Sequence, residues 1–344
     1  MPDRDVLRIL DANVNRAREA LRVVEEHARF RLASGRLTAA VKSLRHDLVA
    51  ATAGLPRPDL LAARDAASDV GAALTTPSEV ERADAEAVLT AALKRVQEAL
   101  RVIEEYGKII DPGVGAGIER LRFRAYDLER ELAAAAPRAR FAAARLYVLV
   151  TEAQCRRGWL EVVEGAIAGG ADVIQLREKH LTDREYLSRA EQAREVCSRR
   201  GALFAVNDRL DAAQMVRADA VHLGQEDLPA ERARRLVGPG MAIGVSTHTI
   251  GQARAAVAEG ADYLGVGPIF PTATKPQEPV AGLDFARQAA AEIEVPCFAL
   301  GGITPEDLGQ VLAAGMRRIA VSASVIASDD PESAARALRQ ALPD

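Results

Sequence analysis

Aromatic side chains are scarce. Phe, Trp and Tyr make up 4% of the 344 residues, and there is one Trp. A core must therefore rest on Ala, Val, Leu and Ile. Cysteine is rarer still. Cys155, Cys197 and Cys297 are odd in number and far apart, which argues against a disulfide scaffold and for a reducing compartment. No two of them have metal-ligand spacing. No apolar run approaches the roughly 18 residues that a membrane span needs, and MPDRDVLRIL at the start lacks the apolar stretch of a signal peptide. The expectation is a soluble cytoplasmic protein with no membrane partner. Net charge is only −4, so no basic field draws the chain to nucleic acid, and aromatic interleaving is missing too. There is no P-loop, no Ser-His-Asp elbow and no G-x-G-x-x-G fingerprint. What is present is ordinary for a globular protein: 49% hydrophobic and 27% charged residues. The length suits two domains.

Composition shifts near residue 140, inside the Ala-rich stretch LAAAAPRARFAAA (132–144). Residues 1–140 read as a small all-α domain with an internal repeat. RAREALRVVEE (16–26) returns as RVQEALRVIEE (95–105), and His46-Asp47-Leu48 is echoed by Tyr126-Asp127-Leu128. Each copy predicts a long helix, a turn at Ser34-Gly35 or Asp111-Pro112-Gly113, and a second helix. Val14, Ala17, Leu21, Val24 and Ala28 form the apolar stripe of one long helix. Leu93, Val96, Leu100 and Ile103 form that of the other. Beside them run polar stripes, Arg22, Glu25 and Arg29 in one copy and Arg101, Glu104 and Lys108 in the other. Two readings stand here. The stripe is a solvated face with helical ion pairs, or the two Arg/Glu clusters face a shared anionic ligand.

From residue 141 onward, β-rich runs alternate with helical segments. The runs span 146–151, 172–178, 203–208, 220–225, 242–248, 263–270, 297–302 and 318–324. Near-continuous apolar strands between helices imply a parallel sheet covered on its faces. Eight such units in about 200 residues predict an α/β fold, a (β/α)8 TIM barrel over 141–344. An open doubly wound sheet is disfavoured by the missing fingerprint.

In such a barrel the chemistry sits at the C-terminal ends of the strands. Polar residues collect there, strand after strand. Gln175-Leu176-Arg177-Glu178-Lys179 ends the second, Asn207-Asp208 the third, His222 to Asp227 the fourth and Ser246-Thr247-His248 the fifth. Thr272-Ala273-Thr274-Lys275 follows the sixth, Gly301-Gly302 the seventh and Val321-Ser322 the eighth. Arg177, Lys179 and Lys275 offer three cations to one mouth. The last two strands end where barrels commonly hold a phosphate on backbone N–H groups. Asp208 and Asp227 are hard oxygen ligands of the kind Mg²⁺ uses beside phosphates, or loop caps. His222 reads as a filler of the barrel interior, and His248 is left open.

QLREK, ND, HLGQED, GVSTH, GPIFPTATK, GGI and VSAS, in that order, resemble the thiamine phosphate synthase family over roughly residues 145–330. That resemblance implies an activity. Hydroxymethylpyrimidine diphosphate is joined to a thiazole phosphate carboxylate, giving thiamine phosphate, pyrophosphate and CO₂. It also implies roles. Gln175, Arg177, Lys179, Asn207, Ser246 and Lys275 match positions that bind the pyrimidine diphosphate, with Lys179, Arg177, Ser246 and Lys275 acting on the reaction. Asp208 and Asp227 match Mg²⁺ ligands. Thr272, Thr274, Gly302, Val321 and Ser322 match positions that hold the thiazole phosphate. Leu176, Glu178 and Ala273 lie between matched positions and are expected to line the substrates. The rivals are a thiazole tautomerase, which needs neither the metal nor the diphosphate positions, and a non-catalytic phosphate-binding barrel.

The repeated EALRVxEE, with Arg64-Asp65 and Asp69-Val70-Gly71, resembles the helical domain fused ahead of some members. Some relatives of that domain look like hydroxymethylpyrimidine phosphate kinases. This implies ATP as a partner of the first half, with Arg22, Glu25, Arg101 and Glu104 as candidate ligand contacts. The alternative is a dimerisation or docking bundle. The oligomeric state is not specified by the sequence.

Overall fold

The computed structural model describes residues 3–65, 81–272 and 279–343. The chain divides into two compact units, Met1–Ala135 and Ala136–Asp344. Among the described residues no helix is long and apolar enough to cross a membrane.

The first unit is helical. Its elements are α1 (Arg4–Glu26), a π turn (His27–Arg31), α2 (Gly35–Ala51), α3 (Arg57–Ala63), α4 (Ala85–Ile110) and the part of α5 (Pro112–Ala143) up to Ala135. Side-chain caps start the helices. Asp3 accepts from the Asp5 N–H, Ser34 from Leu37 and Asp84 from Ala87, each satisfying a donor that the helix leaves free. α4 stops at Asp111, whose extended backbone suits the residue before Pro112, and Pro112 opens α5. The repeat helices α1 and α4 pack against each other. Ala17, Leu21, Val24, Ala28, Leu93, Val96, Leu100 and Ile103 all lie in one buried core, with Val14 at its edge. The Ala-rich stretch is helix as far as Ala143. α5 carries Pro137 inside it, and the division between units falls just before that residue.

The second unit is a closed barrel of parallel strands in the order β1 to β8. These are β1 (Leu146–Val150), β2 (Val173–Leu176), β3 (Leu203–Asn207), β4 (Ala220–Leu223), β5 (Ala242–Thr247), β6 (Tyr263–Val266), β7 (Cys297–Leu300) and β8 (Ile319–Val321). All eight lie within the predicted runs. Most stop short at the C-terminal end, because the polar residues there leave the sheet to build the rim.

Alternate residues face opposite sides of each strand. Ile174, Leu176, Val206, Val221, Ile243, Leu264 and Val321 join the core between strands and helices. Tyr147, Val173, Ala205, Ala220, Ala242, Tyr263, Phe298 and Ala320 fill the interior. Phe141, one turn before β1, stacks on Tyr263 with ring centroids 4.4 Å apart. Gly244 and Gly265 make room for this packing. A Cβ on Gly244 would lie 2.1 Å from the Tyr263 ring and 2.5 Å from His222 Nδ1, and one on Gly265 would lie 2.6 Å from Leu300.

The N-terminal rim carries a device absent from the expectations above. Asp172, Asp219 and Asp262 immediately precede β2, β4 and β6. Each carboxylate accepts a backbone N–H at the start of the preceding strand: Leu146 at 2.9 Å, Phe204 at 2.8 Å and Ile243 at 2.8 Å. Arg194 pairs with Asp219 at 2.6 Å, and Arg138 and Arg234 pair with Asp262. The equivalent place before β8 holds Arg318. The signal was visible as Ala-Asp repeated before alternate strands. At the same end Arg145 donates to the Pro343 carbonyl at 3.2 Å, bringing the last turn of the chain beside β1.

Candidate active site

Gln175, the residue before the last of β2, faces the barrel interior and is 1% exposed. Its neighbour Leu176 points the other way, into the strand–helix core, as does Val321 on β8. For these two, the expected substrate contact is therefore restricted to main chain. Arg177 leaves the sheet half-buried. Its N–H donates to Val150 O at 2.9 Å and its carbonyl accepts from Thr151 Oγ1 at 2.7 Å. The rigid backbone aims the side chain, and among the described residues the guanidinium has no carboxylate partner. Glu178 is occupied, accepting the Glu152 N–H at 2.6 Å and fixing the loop after β1.

Lys179 Nζ donates to Asp208 Oδ2 at 2.9 Å. Asp208 follows β3 in the left-handed region, φ +61, and its N–H is held by His222 O at 2.9 Å. Asp227 Oδ2 accepts the Gly224 N–H at 2.6 Å. Burial raises the Asp227 carboxyl above its ordinary range. The facing Asp208 carboxylate adds to this, against the Gly224 N–H and Lys179. Residues from three successive strand ends thus meet as two carboxylates and one lysine.

Asn207 is 8% exposed at the end of β3, and its carbonyl accepts from Tyr186 Oη at 3.3 Å. Ser246 Oγ lies 2.9 Å from His222 Nε2, and its carbonyl accepts from Gln225 Nε2 at 2.7 Å. His222 does fill the interior, and it bonds within it. His248 serves the loop after β6, with Nδ1 2.5 Å from Gly267 O.

The opposite side of the mouth is built from β7 and β8. Gly302 has φ +66, and a Cβ there would lie 2.3 Å from Pro271 O, so only glycine permits this loop to close on the preceding one. Ser322 Oγ donates to Leu149 O at 3.0 Å and Ser324 Oγ to Ile303 O at 2.6 Å. Thr272 stands half-buried at the edge of the described residues. Ala273, Thr274 and Lys275 lie outside them, as do Asp69, Val70 and Gly71 of the first unit.

Sequence reasoning missed Tyr147 and Tyr263 in the interior. Their hydroxyls are 3.2 Å apart, and Gln175 Nε2 donates to Tyr147 Oη at 2.7 Å. The available signal was glycine at register partners, Gly244 opposite Tyr263 and Gly265 opposite Phe298.

The helical unit corrects the solvated-face reading. Glu25 and Glu104 are 6% and 2% exposed. Each is covered by an arginine from the following helix. Arg45 Nε reaches Glu25 at 3.0 Å, and Arg122 Nε reaches Glu104 at 2.7 Å. Arg22 and Arg101 pair with the same glutamates from the exposed side at 3.2 and 2.8 Å. The repeat therefore aligns Leu44-Arg45 with Leu121-Arg122. Asp47 instead pairs across to Arg124 at 2.7 Å, so the Asp-Leu echo marks a different place in each copy. Arg64 binds Asp11 at 2.7 Å.

Comparison with known proteins identifies the family. The thiamine monophosphate synthase family model matches residues 146–325, and the ThiD2 family model matches residues 8–131. A thiamine-phosphate synthase from Gloeobacter violaceus is 47% identical over 95% of this chain and 94% of its own. One from Synechocystis is 46% identical over 96% and 94%. The solved thiamine phosphate pyrophosphorylase of Pyrococcus furiosus superposes with a TM-score of 0.54 at 36% identity, covering 58% of this chain and 95% of that one. With a family model over more than half the chain and relatives this similar along nearly all of it, the chain belongs to the thiamine monophosphate synthase family, whose members of that name are transferases.

Proposed function

We propose that the barrel joins hydroxymethylpyrimidine diphosphate to a thiazole phosphate carboxylate, forming thiamine phosphate and releasing pyrophosphate and CO₂. The observation that carries this reading is the meeting of Lys179, Asp208 and Asp227 beside Arg177, Gln175, Asn207 and Ser246 at one rim. A tautomerase would use neither the carboxylate pair nor the lysine.

The chemistry asks little of proton transfer. The C–O bond to the diphosphate breaks at a carbon attached to an electron-rich aminopyrimidine, which delocalises the positive charge. The thiazole nitrogen then attacks with its own lone pair, so no strong general base is needed; the bond from the ring carbon to the carboxylate breaks, CO₂ leaves, and the electron pair left on that carbon takes a proton from solvent. The protein's part is positioning and charge neutralisation. Arg177 and Lys179, with Lys275, receive the charge developing on the leaving diphosphate. Gly302 and Ser322 with Thr272 and Thr274 hold the thiazole phosphate.

Asp208 and Asp227 fit a hard divalent cation such as Mg²⁺, since two facing carboxylates are relieved by one, and bound there it would add charge neutralisation on the diphosphate. An ion held there would complete its coordination with substrate oxygens and water.

For the helical unit, we propose phosphorylation of hydroxymethylpyrimidine phosphate by ATP, supplying the barrel's substrate. The repeated EALRVxEE motif supports it. One experiment tests both units. The full chain is given either the monophosphate with ATP or the preformed diphosphate, each with Mg²⁺ and the thiazole. Product from both arms is the expected result. Product only from the diphosphate removes the kinase reading and leaves a packing or docking module. Ligand binding without turnover in either arm removes the synthase reading.

A further inference from the structure

Five side chains run through the barrel interior as one hydrogen-bonded chain. Gln175 Nε2 lies 2.7 Å from Tyr147 Oη, which lies 3.2 Å from Tyr263 Oη. Tyr263 Oη is 3.3 Å from His222 Nδ1, and His222 Nε2 is 2.9 Å from Ser246 Oγ. The three inner members are 2%, 1% and 8% exposed, in the order Tyr147, Tyr263, His222. The two ends are site residues. Gln175 Oε1 is buried and has no hydrogen-bond partner among the described residues, an arrangement that is costly unless a ligand donor meets it.

Donor and acceptor are interchangeable at three of the four contacts; starting from the Gln175 amide as donor to Tyr147 and giving each buried proton the next member of the chain as its acceptor yields one direction. The Gln175 amide donates to Tyr147, so the Tyr147 proton goes on to Tyr263. Tyr263, already accepting, donates to His222 Nδ1. His222 then carries its proton on Nε2 and donates it to Ser246 Oγ. The Ser246 proton is left for a ligand. Burial pushes both phenols well above their ordinary range, so both stay donors.

We propose that Tyr147, Tyr263 and His222 are positioning residues that set the polarity of the binding site, presenting the Gln175 carbonyl as an acceptor and Ser246 as a donor. The ligand class that answers is a heterocycle with an exocyclic amine, carrying a lone-pair or anionic acceptor elsewhere. This rests on the synthase reading for the ligand's identity: the aminopyrimidine diphosphate offers both groups. The reverse direction along the same chain would present an amide N–H₂ at Gln175 and select an oxo-pyrimidine instead.

Two measurements on the full chain test this. The first is the tautomer of His222, read from ¹⁵N shifts without any ligand. The Nε2–H form is expected; the Nδ1–H form or an imidazolium at neutral pH overturns the proposal. The second is calorimetric Kd for the 4-amino and the 4-oxo pyrimidine methyl diphosphate, in the natural protein and in Tyr147→Phe, with Tyr263→Phe as the second variant should the first not fold. The amino form is expected to bind more tightly, and its preference over the oxo form to shrink at least about tenfold once the chain is cut. An unchanged preference in a folded variant overturns the proposal. Binding of neither pyrimidine overturns the synthase reading, while the tautomer still decides the relay.

Discussion

At the scale of single residues, the site divides into groups that meet charge and groups that shape space. Lys179 is the clearest of the first kind. It is half exposed, and its salt bridge among the described residues is to Asp208, so Lys179→Ala is expected to leave folding within about 0.5 kcal/mol of the natural chain. Turnover, measured with the preformed diphosphate, should fall at least about 100-fold, since removing one preorganised charge donor costs on that order. A rate close to that of the natural protein would remove Lys179 from the reaction. Gly244 is of the second kind. A methyl there meets Tyr263 and His222 at under van der Waals distance, and Gly244→Ala is expected to cost about 1–3 kcal/mol by overpacking, measured by chemical denaturation. The charged rim residues were legible in the sequence because each follows an apolar run. Tyr147 and Tyr263 were not, because a tyrosine inside an apolar strand looks like any core aromatic until its partners across the barrel are known. Leu176 and Val321 were legible as positions but not as directions, since a β-strand turns alternate side chains away from the mouth.

At the scale of elements, the helical hairpins were readable from periodicity, and their polar stripes were misread for a physical reason. Helical spacing reveals i+3 and i+4 partners but not the arginine that a second helix brings from above. Glu104 is the test of that difference. Burial alone would raise its carboxyl. Arg122, with Arg101 and Lys108, holds it below its ordinary value. A carboxyl lowered in the fold contributes stability above its unfolded value of about 4.5 and loses it as pH falls through the folded one. His27 acts earlier. Burial holds it neutral, so the unfolded chain takes up the proton first as pH drops below 6.5. The helical unit is therefore expected to weaken in two stages on acidification, followed by helical circular dichroism. Replacing Glu104 by Leu strands Arg122 and should cost about 3–5 kcal/mol at neutral pH. The double change with Arg122→Met should recover most of it, and failure to recover would mean the pair is not the cause.

At the scale of the whole molecule, the eight-fold alternation made the barrel the most legible feature of the chain. The boundary was the least legible, because Ala-rich helix and linker share a composition. The structure places Arg138 and Arg140 on Asp262 and Asp219, and Phe141 on Tyr263. A shortened chain beginning at residue 136 is expected to keep synthase turnover with preformed diphosphate. One beginning at residue 142 loses a buried aromatic and should be less stable by about 3–5 kcal/mol, read from the urea midpoint.

The aspartate carboxylates before β2, β4 and β6 give the ring an uneven circumference. Three of its four strand pairs are fastened at the base, and the fourth, β7 with β8, has Arg318 where a carboxylate would be. That pair is a seam. Because Arg145 already touches Pro343, the two ends of the barrel can be joined by a short bridge and the ring opened elsewhere. A circular permutant with new ends at Gly315, in the seam, cuts between no aspartate and the strand it fastens. One opened at Gly170, between β1 and Asp172, separates a fastener from its strand along the chain and leaves its closure to chance encounter. The first is expected to refold faster and melt higher than the second.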